Sequence, residues 1–568
     1  LITLEIITGP ISAIFFFVGL LALGNWIFKW GKSGNGSTHE KVAIGYGLLY
    51  VIYHLFHFIL EPKHIWISIS TLILICIFSE RKSLLMKIKD IYLRSTFVWL
   101  VFIILIPFFF RLISPPISND GLSFYLPQVA WLYEYGLKFN PFLTQYTTMP
   151  QGIQILFTLP YGVSGYSGVR FMDAFAALAL LHVIYQECRN LLNESYSKIF
   201  VLFALLLKGT ILFLFGTGKI DTWSTYIFTI GFFAFFKGIH SKNYLNVFII
   251  FSVILSIKYT NWVLMVLPLL WLAYLLFRAL PLLQWTFLMQ VPLFFAGSVL
   301  IRNHIQVNNA LSPFFLNGLE SRYVHNHGPI LYDNPFEITN FKFENGILIM
   351  NYLSHPIFIV SCFFVLFFYF HYRKVQFSNM IRFGIYLFIL MMIPWFVIFG
   401  SSAQPIRFLW GPILLLFTIS LMVWKEIQFA QTFPKKTPLI LVCTLGLTLI
   451  FFSYFKGRQY VYNFFQLPNK SLSEWYAQVG RHHYAMSYRI KELGLHNQKI
   501  FYESRVALGA FEVHEFGRFP DQDEFFNRNK GEWNGYDFLL LNGHSKAQLF
   551  QKEEVLLQYN DYYLIQLK

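Results

Sequence analysis

Residues 118–127 read Ser118-Asn119-Asp120-Gly121-Leu122-Ser123-Phe124-Tyr125-Leu126-Pro127, directly after an apolar run from about Thr96 to Ile113. The run has the length and composition of a membrane span, so Asp120 sits where a span meets water. An ionised group at that depth is costly, by a few kcal/mol near the bilayer centre and less at the interface. Either Asp120 caps a helix, as Asn, Asp and Ser all do well, or it is kept there for chemistry. The rest of the chain bears on that choice.

Working outward, the stretch opens a polar connection over 114–167 that is itself patterned. Tyr125 to Tyr135 (YLPQVAWLYEY) and Gln151 to Leu159 (QGIQILFTL) are apolar and aromatic-rich, separated by Asn140-Pro141 and Met149-Pro150. Such amphipathic segments are expected to lie in the interface plane with their rings at headgroup depth.

The composition of the whole chain agrees with a membrane setting. Of its 568 residues 56% are hydrophobic and 20% aromatic, and only 13% are charged, against about 25% in soluble domains. Mean hydropathy is +0.51. The net charge of +15 does not point to nucleic acid as a partner, because the basic residues fall in short clusters between apolar runs. That is how the positive-inside rule distributes them. The partner this implies is the lipid bilayer. Cys76, Cys188, Cys362 and Cys443 lie in apolar runs or at their ends without a CxxC pair, so no disulfide framework is implied. The first apolar run lacks a basic leader and a small-residue cleavage site, so no cleavable signal is expected.

A spanning helix needs about 20 apolar residues. On that criterion the chain contains about fourteen spans, near 7–28, 42–60, 64–79, 96–113, 168–187, 198–216, 222–238, 244–257, 261–277, 284–301, 352–370, 383–400, 408–424 and 437–454. The cations Lys29/Lys32/Lys41, Arg81/Lys82/Lys87/Lys89, Arg189/Lys198, Lys237/Lys242, Arg278, Arg373/Lys374/Arg382 and Lys425/Lys435/Lys436 fall in alternate connections, and one orientation makes all of them cytoplasmic. The stretch 114–167, the turns at 217–221 and 258–260, the loop 302–351, the turn at 401–407 and everything after Phe455 are then external. The tail changes to ordinary soluble sequence. Strands are predicted at 499–502, 536–541 and 561–566, and helices near 471–494 and 546–556.

The predicted fold class is therefore an all-α polytopic membrane protein, with amphipathic helices in the first external loop and a small external C-terminal α/β domain. It divides into an N-terminal membrane module at 1–95, a membrane core at 96–455 and the soluble domain at 456–568. No internal or inverted repeat is visible, which counts against many secondary transporters.

Further polar groups fall at the external ends of spans: Lys219 and Asp221 in Gly218-Lys219-Ile220-Asp221-Thr222, Lys258-Tyr259-Thr260-Asn261, Arg302-Asn303 and Gln404-Pro405-Ile406-Arg407. A single lysine or arginine at a span's end snorkels to the headgroups. These cations, however, share the face where positive charge is normally depleted. Two carboxylates and four cations converging there suggest a site for an anionic, phosphate-bearing lipid. Lys208, inside an apolar run, has no reading of this kind.

The ordered set resembles the GT-C superfamily of integral-membrane glycosyltransferases, in particular bacterial members related to the aminoarabinose transferases and protein O-mannosyltransferases. Those proteins carry an acidic residue after a span, in a loop of the type Asp-x-Leu-x-Tyr-His-x-Pro. Asp120, Leu122 and Pro127 match it, with Phe124 and Tyr125 where the Tyr-His pair would stand. A Lys-x-Asp turn is matched by Lys219 and Asp221, a Lys-Tyr-Thr by Lys258 to Thr260, and an Arg-Asn signature loosely by Arg302-Asn303 and Asn309 to Pro313. The resemblance covers roughly 96–455, leaving the first three spans as an added module.

What the resemblance implies is an inverting transfer of a sugar from a polyprenyl-phosphate donor to a hydroxyl on a glycan, lipid or protein acceptor. It places the protein in a bacterial inner membrane with its site on the periplasmic side. Asp120 would accept the hydroxyl proton and Asp221 would assist it. Lys219, Lys258, Tyr259, Arg302 and Arg407 would hold the donor and its phosphate. Asn119, Tyr125, Asn303, Glu320 and Tyr323 would line the acceptor or sugar pocket. No cofactor is implied. A metal is not expected, because the first loop offers only Asn119-Asp120 rather than an Asp-x-Asp pair. Asp521-Gln522-Asp523 is such a pair but lies in the tail, in a calcium-loop pattern spoiled by Phe525 and Phe526. His54 and His57 share a helix face without a third ligand. Two other classes stay open: a polysaccharide polymerase or ligase, and a lipid-linked sugar flippase or transporter.

Overall fold

The structure is a computed structural model. It describes residues 2–30, 36–90, 96–115, 125–138, 149–206, 215–241, 244–307, 310, 378–399, 409–426, 437–479, 482–495, 500–502, 537–542, 555–559 and 562–566. The protein is mostly helical. Helices α1 (Ile2–Trp30), α2 (Thr38–His57), α3 (Pro62–Asp90) and α4 (Thr96–Ile113) come first. The start of α2 is set by Ser37, whose hydroxyl accepts the Glu40 N–H at 3.2 Å and satisfies one of the otherwise orphaned first-turn donors.

Helix α5 (Leu126–Tyr135) is one of the two aromatic stretches in the first loop. Leu126, Val129 and Leu132 are buried and Tyr135 is exposed, which is the one-sided pattern the sequence gives. The second stretch behaves differently. It forms the first half of α6 (Gly152–Leu191), a helix broken at Ser164 and at Gly165, whose φ is 57°. All residues from Gln151 to Pro160 are buried, so this half lies inside the protein rather than along a lipid surface. Its polar residues Gln151, Gln154 and Thr158 share one helix face, and that face is buried as well.

Helices α7 (Glu194–Leu206), α8 (Asp221–Ser241), α9 (Leu245–Ile254), α10 (Tyr259–Phe277), α11 (Leu282–Val307), α12 (Asn379–Phe399), α13 (Trp410–Glu426) and α14 (Thr437–Gln466) follow. Helix α8 is the centre of the bundle: Asp221 to Phe236 are all buried, against α2, α6, α9, α12 and α13. Among the described residues, five helices are long and apolar enough to cross a membrane: 7–29, 62–82, 152–191, 259–277 and 282–306. They include the short run expected at 64–79. Helices α4, α9, α12 and α13 are apolar but shorter over their described residues, and the span expected at 352–370 lies outside them.

Charge is sorted between the two ends of the bundle. At one end Lys29 meets Glu80 at 2.5 Å, Lys41 donates to Asn25 at 3.0 Å, and Lys237 bonds Glu187 at 2.6 Å and Glu40 at 3.3 Å. Asp221, at the other end of α8, is sixteen residues from Lys237 in sequence, or ~24 Å of helix rise.

Helix α14 runs through Phe455 to Gln466, beyond the predicted end of the last span. A short 3-10 turn leads to Ser471, which forms a capping box with Glu474 and starts α15 (Leu472–Gln478); α16 (His482–Glu492) follows. Strands β1 (Ile500–Tyr502), β2 (Phe538–Asn542), β3 (Val555–Tyr559) and β4 (Tyr562–Gln566) form one sheet in the order β1-β2-β4-β3. β1 is parallel to β2 and the other pairs are antiparallel. Three of these strands were predicted. β3 was not: Val555 and Leu556 were assigned to a helix near 546–556, of which 546–554 lies outside the described residues.

Candidate functional site

The site is built around the turn Phe215-Gly216-Thr217-Gly218-Lys219-Ile220, which delivers the chain into α8. Gly216 and Gly218 have φ of 66° and 73°, the left-handed region that side chains with a Cβ avoid. A Cβ on Gly216 would also stand 2.5 Å from a Leu112 methyl. The two glycines fold the turn tightly enough to bury Lys219 and Asp221 beneath it. Asp221 is the first residue of α8, where a carboxylate meets the positive end of the helix dipole. Its Oδ1 accepts Lys258 Nζ at 2.8 Å.

From Lys258 a chain of contacts runs across the bundle. Tyr259 opens α10, and its hydroxyl accepts Asn303 Nδ2 at 2.9 Å. Asn303 Oδ1 accepts Arg302 Nη2 at 3.1 Å, and the same Nη2 donates to the Met149 carbonyl at 2.8 Å. The Arg302 Nη1 makes no hydrogen bond among the described residues. Asn261 and Ser224, bonded at 3.0 Å, tie α10 to α8 one turn below.

On the other side of the turn stand Arg111, Arg170 and Asp173. Arg170 Nε donates to the Gly216 carbonyl at 3.0 Å, and its Nη1 and Nη2 donate to the carbonyls of Ser114 and Arg111. Asp173 Oδ2 accepts the N–H groups of Thr217 at 3.0 Å and Gly218 at 3.2 Å. Arg111 donates to the Phe215 carbonyl and lies 5.1 Å from the Tyr460 ring centre. Among the described residues, the buried charges at this end of the bundle are the cations Arg111, Arg170, Lys219, Lys258 and Arg302 and the carboxylates Asp173 and Asp221.

No family model, curated protein or solved structure matches the chain. The reading of the site therefore rests on its own residues.

Of the residues singled out in the sequence, Lys219, Asp221, Lys258, Tyr259, Arg302 and Asn303 are brought together at one end of the bundle. Tyr125 is half-buried at the start of α5. Its neighbour Leu126 lies over Gly218, with a methyl 3.0 Å from where a Cβ there would be. Asn119, Asp120, Glu320, Tyr323 and Arg407 lie outside the described residues, as do Lys208 and Asp521 to Asp523. His54 packs within its helix, its Nδ1 2.9 Å from the Tyr50 carbonyl.

Arg170 and Asp173 were missed by sequence reasoning, and the signal was present. Val169-Arg170-Phe171-Met172-Asp173 places opposite charges three residues apart within an apolar run, and charged groups inside spans are rare unless they have work to do. A second polar chain lies deeper: His39 sits 2.8 Å from both Tyr226 and His182. It borders an apolar cavity of about 310 Å³ against Phe97, Val101 and Phe175, which none of the cation-site residues lines.

Proposed function

We propose that the chain is a GT-C-like glycosyltransferase that moves a sugar from a polyprenyl-phosphate donor to a hydroxyl acceptor on the non-cytoplasmic side of a bacterial inner membrane, with inversion. The observation that supports this reading is the row of buried cations from Arg111 to Arg302, gathered among the described residues at one end of the helical bundle. A lipid phosphate needs fixed positive charge at the membrane edge, and Arg can bind it through two donors of its planar fork.

In the proposed reaction an acceptor oxygen attacks the anomeric carbon as the bond from that carbon to the phosphate oxygen breaks. The hydroxyl proton passes to Asp120, and the electron pair leaves on the polyprenyl phosphate, where the cations hold the charge. An aspartate with an ordinary pKa of about 3.9 is a weak base, so it takes the proton late, when the glycosidic bond is largely broken. Asp120 belongs to a segment whose flanks are both fixed at the cation cluster. Arg170 holds the Ser114 carbonyl before it, and Leu126 packs over Gly218 after it. Asp221 pairs with Lys258, and in this proposal Arg302 and Lys219 are the main donor-phosphate ligands. Arg407, Glu320 and Tyr323 keep in this proposal the donor and acceptor roles that the resemblance implies.

Arg302 provides the test. A hydrogen bond to a charged group contributes about 1.5–3 kcal/mol, so Arg302→Ala is expected to weaken binding of a polyprenyl-phosphate sugar by about ten- to a hundredfold. Arg302→Lys, which keeps the charge and removes the planar fork, should weaken binding less than Arg302→Ala. Titration of both purified variants in lipid nanodiscs makes the comparison. Equal affinity for Arg302→Ala and wild type would assign Arg302 to holding Met149 in place and nothing more.

A further inference from the structure

We infer that Arg170 and Asp173 are positioning residues, whose combined grip on the 215–218 turn sets where Lys219 and Asp221 stand relative to Lys258 and Arg302. The inference rests on the proposed reading of the site and names two residues that nothing in the resemblance assigns.

The argument starts from what these side chains cost and where their bonds go. Both are buried, Asp173 completely, on α6 just past its break. An ionised carboxylate or guanidinium in an apolar bundle is costly unless it is hydrogen-bonded. A salt bridge between the two would be the simplest arrangement. The observed bonds go elsewhere. Every described hydrogen bond of the Arg170 guanidinium ends on a backbone carbonyl, at Gly216, Ser114 and Arg111. Asp173 accepts two consecutive backbone N–H groups, Thr217 and Gly218.

Those two N–H groups point the same way because the residues on either side of Thr217 are left-handed glycines. Successive amides arranged like this form a concave anion-binding nest, and here the anion is the protein's own carboxylate. The turn is thus gripped from both polarities, its carbonyl by Arg170 and its amides by Asp173. Arg111 adds a third hold at Phe215 and links it through Tyr460 to α14. Lys219 follows the gripped amides by one residue, and Asp221 by three. A shift of the turn would carry both of them relative to Lys258, whose ion pair with Asp221 closes the chain. The same Arg170 holds the end of α4, so the clamp registers α4 and α8 against one helix.

The test uses full-length protein in nanodiscs with Asp173→Asn and Arg170→Lys. The first keeps shape and removes the charge; the second keeps the charge and removes the fork. Hydrogen exchange of the peptide covering 215–221 is read first and requires no assumption about activity. About tenfold faster exchange at Thr217 and Gly218 is expected in Asp173→Asn, from the loss of charge-assisted bonds. Transfer from a polyprenyl-phosphate sugar is read second. A kcat lower by about a hundredfold is expected, as for small misplacements of reacting groups, with donor affinity and melting temperature near wild type. Unchanged exchange in both variants would overturn the positioning role while leaving wild-type transfer, and so the reading of the site, intact. Faster exchange with unchanged kcat would show a merely structural clamp and overturn it equally. Absence of transfer in the wild-type protein would instead remove the reading of the site, and the positioning role with it.

Discussion

Asp120→Asn is expected to lower sugar transfer by about 10²–10⁴-fold, the usual loss when a general base is removed, while folding and donor binding stay near wild type. The substitution discriminates because Asn caps a helix about as well as Asp and occupies the same volume. What it removes is the negative charge and the ability to take a proton at neutral pH. An Asp120 that only caps a helix would tolerate the change almost silently. Asp221→Asn belongs beside it in the assay, since two carboxylates near one reacting proton share its titration. Its structural setting predicts a different signature: Asp221 is buried at the first turn of α8 with its Oδ1 on Lys258, so its loss should disturb stability as well as rate. If Asp120→Asn keeps more than about a tenth of wild-type transfer, Asp120 is not the base and Asp221 becomes the first alternative.

The second large effect is on stability. Lys258→Met leaves the Asp221 carboxylate buried without its 2.8 Å ion-pair partner. Removing one member of a buried pair costs about 3–5 kcal/mol, mostly from the charge left behind. The single variant should therefore melt well below wild type, or fail to accumulate. Lys258→Met/Asp221→Asn, which removes both charges, should recover most of that loss, because the pair itself contributes little net stability. Thermal unfolding of the single, the partner single and the double variant completes the cycle. A Lys258→Met protein as stable as wild type would mean that Asp221 is already compensated by another group. Lys219, two residues before Asp221 on the same buried turn, would be the group to examine.

The helices were legible because apolar runs of membrane length admit little else, and the runs at 7–28, 64–79, 261–277 and 284–301 recur as long apolar helices. The clustering of Lys219, Asp221, Lys258, Arg302 and Asn303 was legible for a related reason. Charges at alternate span ends share an end of the bundle whatever the detailed packing is. Two things were not legible. The interfacial reading of Gln151–Leu159 failed because one-dimensional patterning cannot tell a lipid surface from a protein interior, and both accept apolar side chains. The bonds of Arg170 and Asp173 were hidden because their partners are backbone groups of a turn about 45 residues away, which carry no side-chain signal. β3 was missed although Asn560-Asp561, a turn-forming pair, separates it from β4 in the sequence.

The most direct measurement of the central claim is single-turnover transfer by the purified full-length protein. A polyprenyl-phosphate-linked sugar, labelled in the sugar, is supplied in nanodiscs with a hydroxyl acceptor, with no metal added. The account predicts stoichiometric release of polyprenyl phosphate, a glycoside of inverted anomeric configuration, and loss of both in Asp120→Asn. Donor that binds but is moved unchanged across the bilayer, or a wild-type protein and an Asp120→Asn variant of equal activity, would contradict it.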